Sequence, residues 1–411
     1  MSTETTGKGQ DKVSFGSAVV QRLKDKLWPG DIKFSVDNFS ITLSDTGQIL
    51  YLDNSYAEWL AQPNDDGRWA VIDRLVQVAF ASKAAEKTRS LADNAPNILP
   101  AIRSRQYIEN VWMYDGAGQT DGFSVSSRPL CDWLTVVLTI NAETSIATTS
   151  DKQLTEWGKS FDEVMTVAMA NLEKLKTQAF KLQDGGFYLL ATDDFYDPSV
   201  LLLPAKISAL PVKGSPVAIA VTRGCVVVAG SDDVPALQQM ATFAEAAYTN
   251  DPRAISCLPL NLKDGKWAQY IPDRATYPMI HRLRNLTFLR DYQSQLEILN
   301  DYNKKIDRGV YVGQLDAVQD GDRLVTWSSL VSGITTLLPV SDVVIVAPAD
   351  LKNPFARRFT DLLTVAGTMP QEPNTWPPLY VFKDGLDHRL ADFLRDRYPQ
   401  PTEFPDVGKA S

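Results

Sequence analysis

PVAIAVTRGCVVVAG, residues 216–230, holds two apolar runs, Pro216 to Val221 and Cys225 to Ala229. Both are short and β-branched, which reads as two buried strands rather than helix. A helical pattern follows from Val234 to Tyr248. Ile255 to Leu262 then reads as a further strand, ending in Lys263-Asp264-Gly265. About one domain element later the order recurs. Val343 to Ala347 is apolar, a helix is expected from Pro354 through Leu363, and Leu379 to Phe382 ends in Lys383-Asp384-Gly385. The offset is 118 residues between CVVVAG and VVIVAP and 120 between the two Lys-Asp-Gly turns. The pattern predicts an α+β protein, a mixed α/β chain with antiparallel or mixed sheets and packed helices, in which one β-β-α-β unit is duplicated.

Outward from this stretch, Phe15, Val19, Leu23 and Leu27 recur at helical spacing and stop at Trp28-Pro29-Gly30. Ile32, Phe34 and Val36, then Ile41 and Leu43, then Ile49 to Leu52 across Asp45-Thr46-Gly47, predict a small antiparallel meander. Trp69 to Phe80 marks an amphipathic helix, Ile98 to Arg103 an extended segment and Trp133 to Ile140 a buried strand. Ser160 with Glu163 three residues on is a capping box, opening a helix with Val164, Ala168 and Leu172 on one face. Phe187 to Ala191 reads as a strand running into the acidic loop Asp193 to Pro198.

These signals divide the 411 residues into a disordered tail (1–12), an N-terminal α+β region (13–110), a central α+β domain (130–275), a linker helix (276–305), a C-terminal α+β domain (306–400) and a flexible tail (401–411). More than one core is expected, because domains cluster at ~100–150 residues.

Composition narrows the function classes. The formal net charge is −9, so the overall field repels phosphate backbones and anionic headgroups, and neither a nucleic acid nor a membrane is expected as partner. The basic stretch Arg274 to Arg308 is broken by Asp291, Glu297, Asp301 and Asp307, the pattern of a solvated helix face. Met1 to Lys12 is polar, with no apolar core of the kind a signal peptide needs, no run approaches the roughly 18 apolar residues of a membrane span, and Cys131, Cys225 and Cys257 are dispersed in apolar surroundings. Buried, reduced, inert thiols and a cytoplasmic location are expected.

Several segments resemble the uncharacterised bacterial YtpQ-like family over roughly residues 32–266. They are ITLSDTGQILYLDNSYAEW (41–59), ILPAIRS (98–104), LTEWGKSFDEVMTVAMANL (154–172) and FYLLATDDFYDPSVLL (187–202). The resemblance implies an α+β fold in a bacterial cytoplasmic protein. It implies no chemistry, since the family has no established activity.

Chemistry-bearing patterns are few. The two histidines, His281 and His388, are far apart in sequence, and no His-Glu-x-x-His, Gly-x-Ser-x-Gly, paired Cys-x-x-Cys or P-loop occurs. Asp193, Asp194 and Asp197 place three carboxylates within five residues, which suits either a hard cation or a turn that caps the next element. Arg103, ending an apolar extended segment, suits either a carboxylate or phosphate ligand or an internal ion pair with Asp194 and Asp197, and the internal pair is the expectation. Trp376-Pro377-Pro378 is read as the entry to a strand rather than a polyproline ligand.

The binding candidates are therefore Arg103, Asp194, Tyr196 and Asp197, with no catalytic residue, cofactor or metal expected. A non-enzymatic protein-binding protein is the leading expectation. A metal-dependent hydrolase built on Asp193, Asp194 and Asp197, and a small-ligand sensor with a pocket between the two halves, are the alternatives.

Overall fold

The computed structural model describes residues 4–402 and 404, apart from 37–38, 44–47, 86–89, 117–123, 142–145, 177, 193, 252, 275, 322 and 350–351. The fold is α+β, with helices packed on antiparallel and mixed sheets. The chain forms two compact units in place of the expected 13–110, 130–275 and 306–400 division. The first comprises Met1–Pro100, Leu138–Leu175 and Asn250–Arg253; the second comprises Ala101–Val137, Lys176–Thr249 and Ala254–Ser411. Among the described residues no helix is long and apolar enough to cross a membrane.

In the first unit the expected meander forms from Ile32–Ser35, Ser40–Leu43 and Gln48–Tyr51, paired antiparallel with Phe34 opposite Ile41 and Ile41 opposite Leu50. Its Asp45-Thr46-Gly47 turn lies outside the described residues. The first helix runs over Glu4–Asp25, so the expected disordered tail is largely helical. Phe15, Val19 and Leu23 on that helix are fully buried against Phe39, Ile41, Leu43 and Tyr56, because their i, i+4, i+8 spacing lines one face. A second cluster of this unit gathers Ile98, Leu138, Leu154, Phe161, Val164 and Ala168.

In the second unit a six-stranded sheet has the order 266–269, 260–263, 216–222, 225–230, 188–190, 181–182, with its neighbours antiparallel. The helix Val234–Asn250 seals one face through Leu237, Met240, Ala241 and Ala244. The C-terminal part carries a four-stranded sheet, 316–320, 323–331, 343–347, 355–358, and a three-stranded sheet, 311–312, 336–339, 379–382.

This wiring corrects the expected duplication. In the first segment, strands 225–230 and 260–263 flank 216–222 in one sheet. In the second, Val343–Ala347 pairs parallel with 323–331 and antiparallel with 355–358, whereas Leu379–Phe382 belongs to the other sheet, opposite Thr336–Pro339. The helix expected from Pro354 begins instead as the strand Phe355–Arg358 and turns helical only over Phe359–Ala366. Apolar runs and Asp-Gly turns are local signals; they select strand and turn but not the pairing partner.

The expected linker helix is also corrected. Pro278–Lys305 is a core element whose Phe288, Tyr292 and Leu299 pack with Trp133, Leu258, Leu337 and Leu379. Its polar positions are not all solvated: Asn285 Nδ2 donates to Leu324 O at 2.6 Å and to Asp342 Oδ2 at 2.6 Å, and Gln295 Nε2 donates to Pro377 O at 3.0 Å. Phe404, expected in a flexible tail, packs against Val325, Val343 and Ala356.

Candidate functional site

The acidic loop follows the strand Tyr188–Leu190 and leads into a 3-10 helix over Asp197–Leu202, which Pro198 enters at a position where no N–H is needed. Asp197 is fully buried. Its Oδ2 accepts from Thr192 N–H at 2.8 Å and its Oδ1 from Thr192 Oγ1 at 2.6 Å, which closes the loop on itself. Asp194 Oδ1 accepts from Tyr196 N–H at 2.8 Å, a local turn that Asp favours.

The charge that holds this loop is Lys176. Its Nζ donates to Asp194 Oδ1 and Oδ2 at 2.7 Å each, to Asp197 Oδ1 at 2.7 Å and to Thr192 Oγ1 at 3.1 Å. Its side chain is 2% exposed, against 0% for Asp197 and 22% for Asp194. An ammonium has three protons, and two carboxylates and a hydroxyl take them, so the buried lysine is saturated. Lys206 Nζ in turn donates to the Lys176 carbonyl. Chemically the cluster is a closed ion-pair network: a cation entering between Asp194 and Asp197 would have to expel an ammonium already there. Among the described residues no group of three or more His, Cys, Asp or Glu side chains is arranged to hold a metal ion. Asp193 lies outside the described residues.

Arg103 is corrected as the partner of this loop. It sits near the end of the strand Ile98–Ser104, 6% exposed, and its Nη1 donates to Ile102 O at 2.8 Å. Burial, and secondly the like charge of Arg223, push its pKa down to about 9, with Tyr107 and Tyr196 opposing. The guanidinium remains protonated at neutral pH. Lys176 takes the pairing role because it reaches both carboxylates at once, whereas Arg103 is engaged with its own strand's backbone.

Between the clamped residues lies Phe195, which the sequence did not single out. Its φ is +62°, in the left-handed region, and it is 40% exposed. A bulky L-residue there costs about 1–2 kcal/mol and persists only where its surroundings fix it. Here Asp194 is held by Lys176 and Tyr196, 1% exposed, is anchored in the interior. The loop thus displays one aromatic ring on a backbone whose two flanks are fixed.

No family model, curated protein or solved structure matches this chain.

The remaining candidates are structural. His281 Nε2 lies 2.9 Å from Pro272 O, and burial lowers its pKa. His388 is exposed beside Asp387 at 3.6 Å. Cys225 and Cys257 are buried, while Cys131, expected buried, is half-buried; burial raises the Cys131 and Cys257 thiols, which disfavours thiolate. Trp376 packs edge-on against Trp133, and the carbonyls of Pro377 and Pro378 accept from Gln295 and from Tyr292 Oη, the latter at 2.8 Å, so this segment is bound within its own unit. In the first unit, a shallow depression of about 400 Å³ is lined by Lys26, Asp73, Val76, Gln77 and Phe80, but its carboxylate is already taken by Arg22 at 2.6 Å.

Lys176 left a trace in the sequence. Val164, Ala168 and Leu172 step by four along the helix Phe161–Leu175, and the next step is residue 176. A lysine continuing an apolar stripe marks either the solvated end of a helix or a buried charge with a carboxylate partner.

Proposed function

We propose that this chain is a non-enzymatic protein-binding protein of the bacterial cytoplasm, and that Phe195 on the Lys176-clamped loop is its docking anchor. The observation that carries this reading is the conformation of Phe195: an exposed aromatic held at φ +62° between two fixed neighbours. Aromatic side chains dominate interface energetics, and a residue already held in one conformation has less freedom to lose on binding. The net charge of −9 favours a basic protein partner over nucleic acid or an anionic membrane. Three free cysteines suit a reducing compartment. Kinship with the YtpQ-like family over about residues 32–266 is part of the same proposal and rests on the quoted segments alone.

The hydrolase alternative draws no support from the site, because Lys176 occupies the carboxylates that a metal would need.

The test is affinity capture from the source cell with immobilised wild type and Phe195→Ala in parallel, with melting temperatures recorded for both. A specific partner should be recovered by wild type and reduced at least about tenfold by Phe195→Ala, as for an interface hot spot, with the melting temperature little changed. Equal recovery by the two proteins refutes the reading.

A further inference from the structure

Arg103 is a buried cation with no acidic partner among the described residues. It is 6% exposed, its hydrogen bond goes to the neighbouring carbonyl of Ile102, and among the described residues no carboxylate pairs with it. A guanidinium presents five N–H donors in a planar fork, so most of its capacity is unused.

Two further features of the same unit point to a negatively charged ligand. Arg103 stands two residues before the helix Arg105–Gly116, whose N-terminal turn carries positive potential. In that turn Gln106 is 9% exposed and its Nε2 donor is buried without a partner, although a buried amide N–H is costly to leave unmatched. Arg223, in the turn between strands 216–222 and 225–230, is the leading charge acting on Arg103 and is of like sign.

We infer that Arg103, with Gln106 at the head of the following helix and Arg223 nearby, forms a binding site for a small oxyanion, a carboxylate or phosphate group whose oxygens accept the guanidinium fork. Such a group matches the planar pair of donors and supplies the missing counter-charge. The site stands independently of the Phe195 reading: loss of partner capture in Phe195→Ala leaves oxyanion binding intact, and the reverse holds.

The experiment is a thermal-shift and calorimetric titration of the full chain with inorganic phosphate and, separately, with acetate, each against sodium chloride at equal ionic strength. Wild type should show a saturable rise in melting temperature with at least one of the two anions that chloride does not reproduce. The anion that acts identifies the source as phosphate or carboxylate. Arg103→Met, which keeps the volume and removes the charge, should abolish the response, and Arg223→Gln should weaken it about tenfold or less. If Arg103→Met fails to fold, the comparison is made with Arg223→Gln and Gln106→Leu, both of which should bind more weakly than wild type. No saturable response to either anion in wild type overturns the inference. A wild-type response in Arg103→Met, or in both Arg223→Gln and Gln106→Leu, does the same.

Discussion

Lys176 and Arg103 are both buried cations of the second unit, and their surroundings differ in a way that separates structure from binding. Lys176 meets two carboxylates and a hydroxyl within 3.1 Å, so its desolvation is offset inside the protein. Arg103 meets one backbone carbonyl, with Arg223 as the leading charge acting on it. A saturated buried charge holds a fold together, whereas an unsaturated one has capacity left for something outside the chain. The hydrogen-bond inventory around a buried charge, more than its burial, tells the two roles apart.

The largest expected effect comes from breaking the saturated member. Lys176→Met leaves Asp197 buried with no cation, and removing one partner of a buried pair costs about 3–5 kcal/mol. Urea unfolding of wild type and variant measures this; a loss below about 1 kcal/mol would show that the loop does not depend on Lys176.

An intermediate effect comes from a buried acid, which sharpens the comparison from the opposite charge. Asp291 is 6% exposed, and burial raises its carboxyl to about 8, with Arg290 opposing. The unfolded value is about 3.9. A group whose folded pKa is raised contributes stability that is fully present below the unfolded value and is lost as pH rises through the folded one. Stability should therefore fall between about pH 4 and pH 8, and Asp291→Asn should flatten that slope and melt higher than wild type at pH 8. Melting temperatures across this window check the prediction, and an unchanged slope in Asp291→Asn contradicts it.

The smallest effect is expected at the unsaturated member. Arg103→Met removes a buried charge that no acid among the described residues balances, so stability should change by less than about 1 kcal/mol or rise, since apolar replacement of buried charge is often neutral or stabilising. A loss comparable to that of Lys176→Met would mean that Arg103 is as structural as the lysine, and the contrast would collapse.

Much of the fold was legible where the signal is local. The meander of residues 32–51 was visible because its apolar positions alternate. The capping box was visible because Ser160 and Glu163 are three apart; Ser160 N–H donates to Glu163 Oε2 at 2.9 Å and Glu163 N–H to Ser160 Oγ at 3.3 Å. The two Lys-Asp-Gly turns show where such signals stop. Asp264 and Gly265 have φ of 49° and 74°, and Asp384 and Gly385 have 56° and 74°. Their backbones agree, yet the first closes a hairpin with Lys263 opposite Lys266, while the second leads to the helix His388–Arg397. A Cβ on Gly385 would lie 2.4 Å from Val331 O, whereas one on Gly265 meets nothing. The dipeptide sets the turn and the surrounding chain sets its use. The helix Pro278–Lys305 was read as a linker because Asn285, Asp291, Gln295 and Asn303 occupy buried positions and break its apolar stripe. At the site, the acidic loop and Arg103 were legible as charged groups, but their pairing was not. Lys176 lies 18 and 21 residues before Asp194 and Asp197, a separation that no local pattern spans.

Lys176 is the internal counter-ion of the acidic loop, and a double-mutant cycle on Lys176→Met and Asp197→Asn tests this most directly. Each single variant should be strongly destabilised, and the double variant should lose clearly less than the sum, with a coupling of about 1–3 kcal/mol, as expected for residues in one buried network. Losses that add to within about 0.5 kcal/mol would show that the two charges do not depend on each other, and the account of the loop would be wrong.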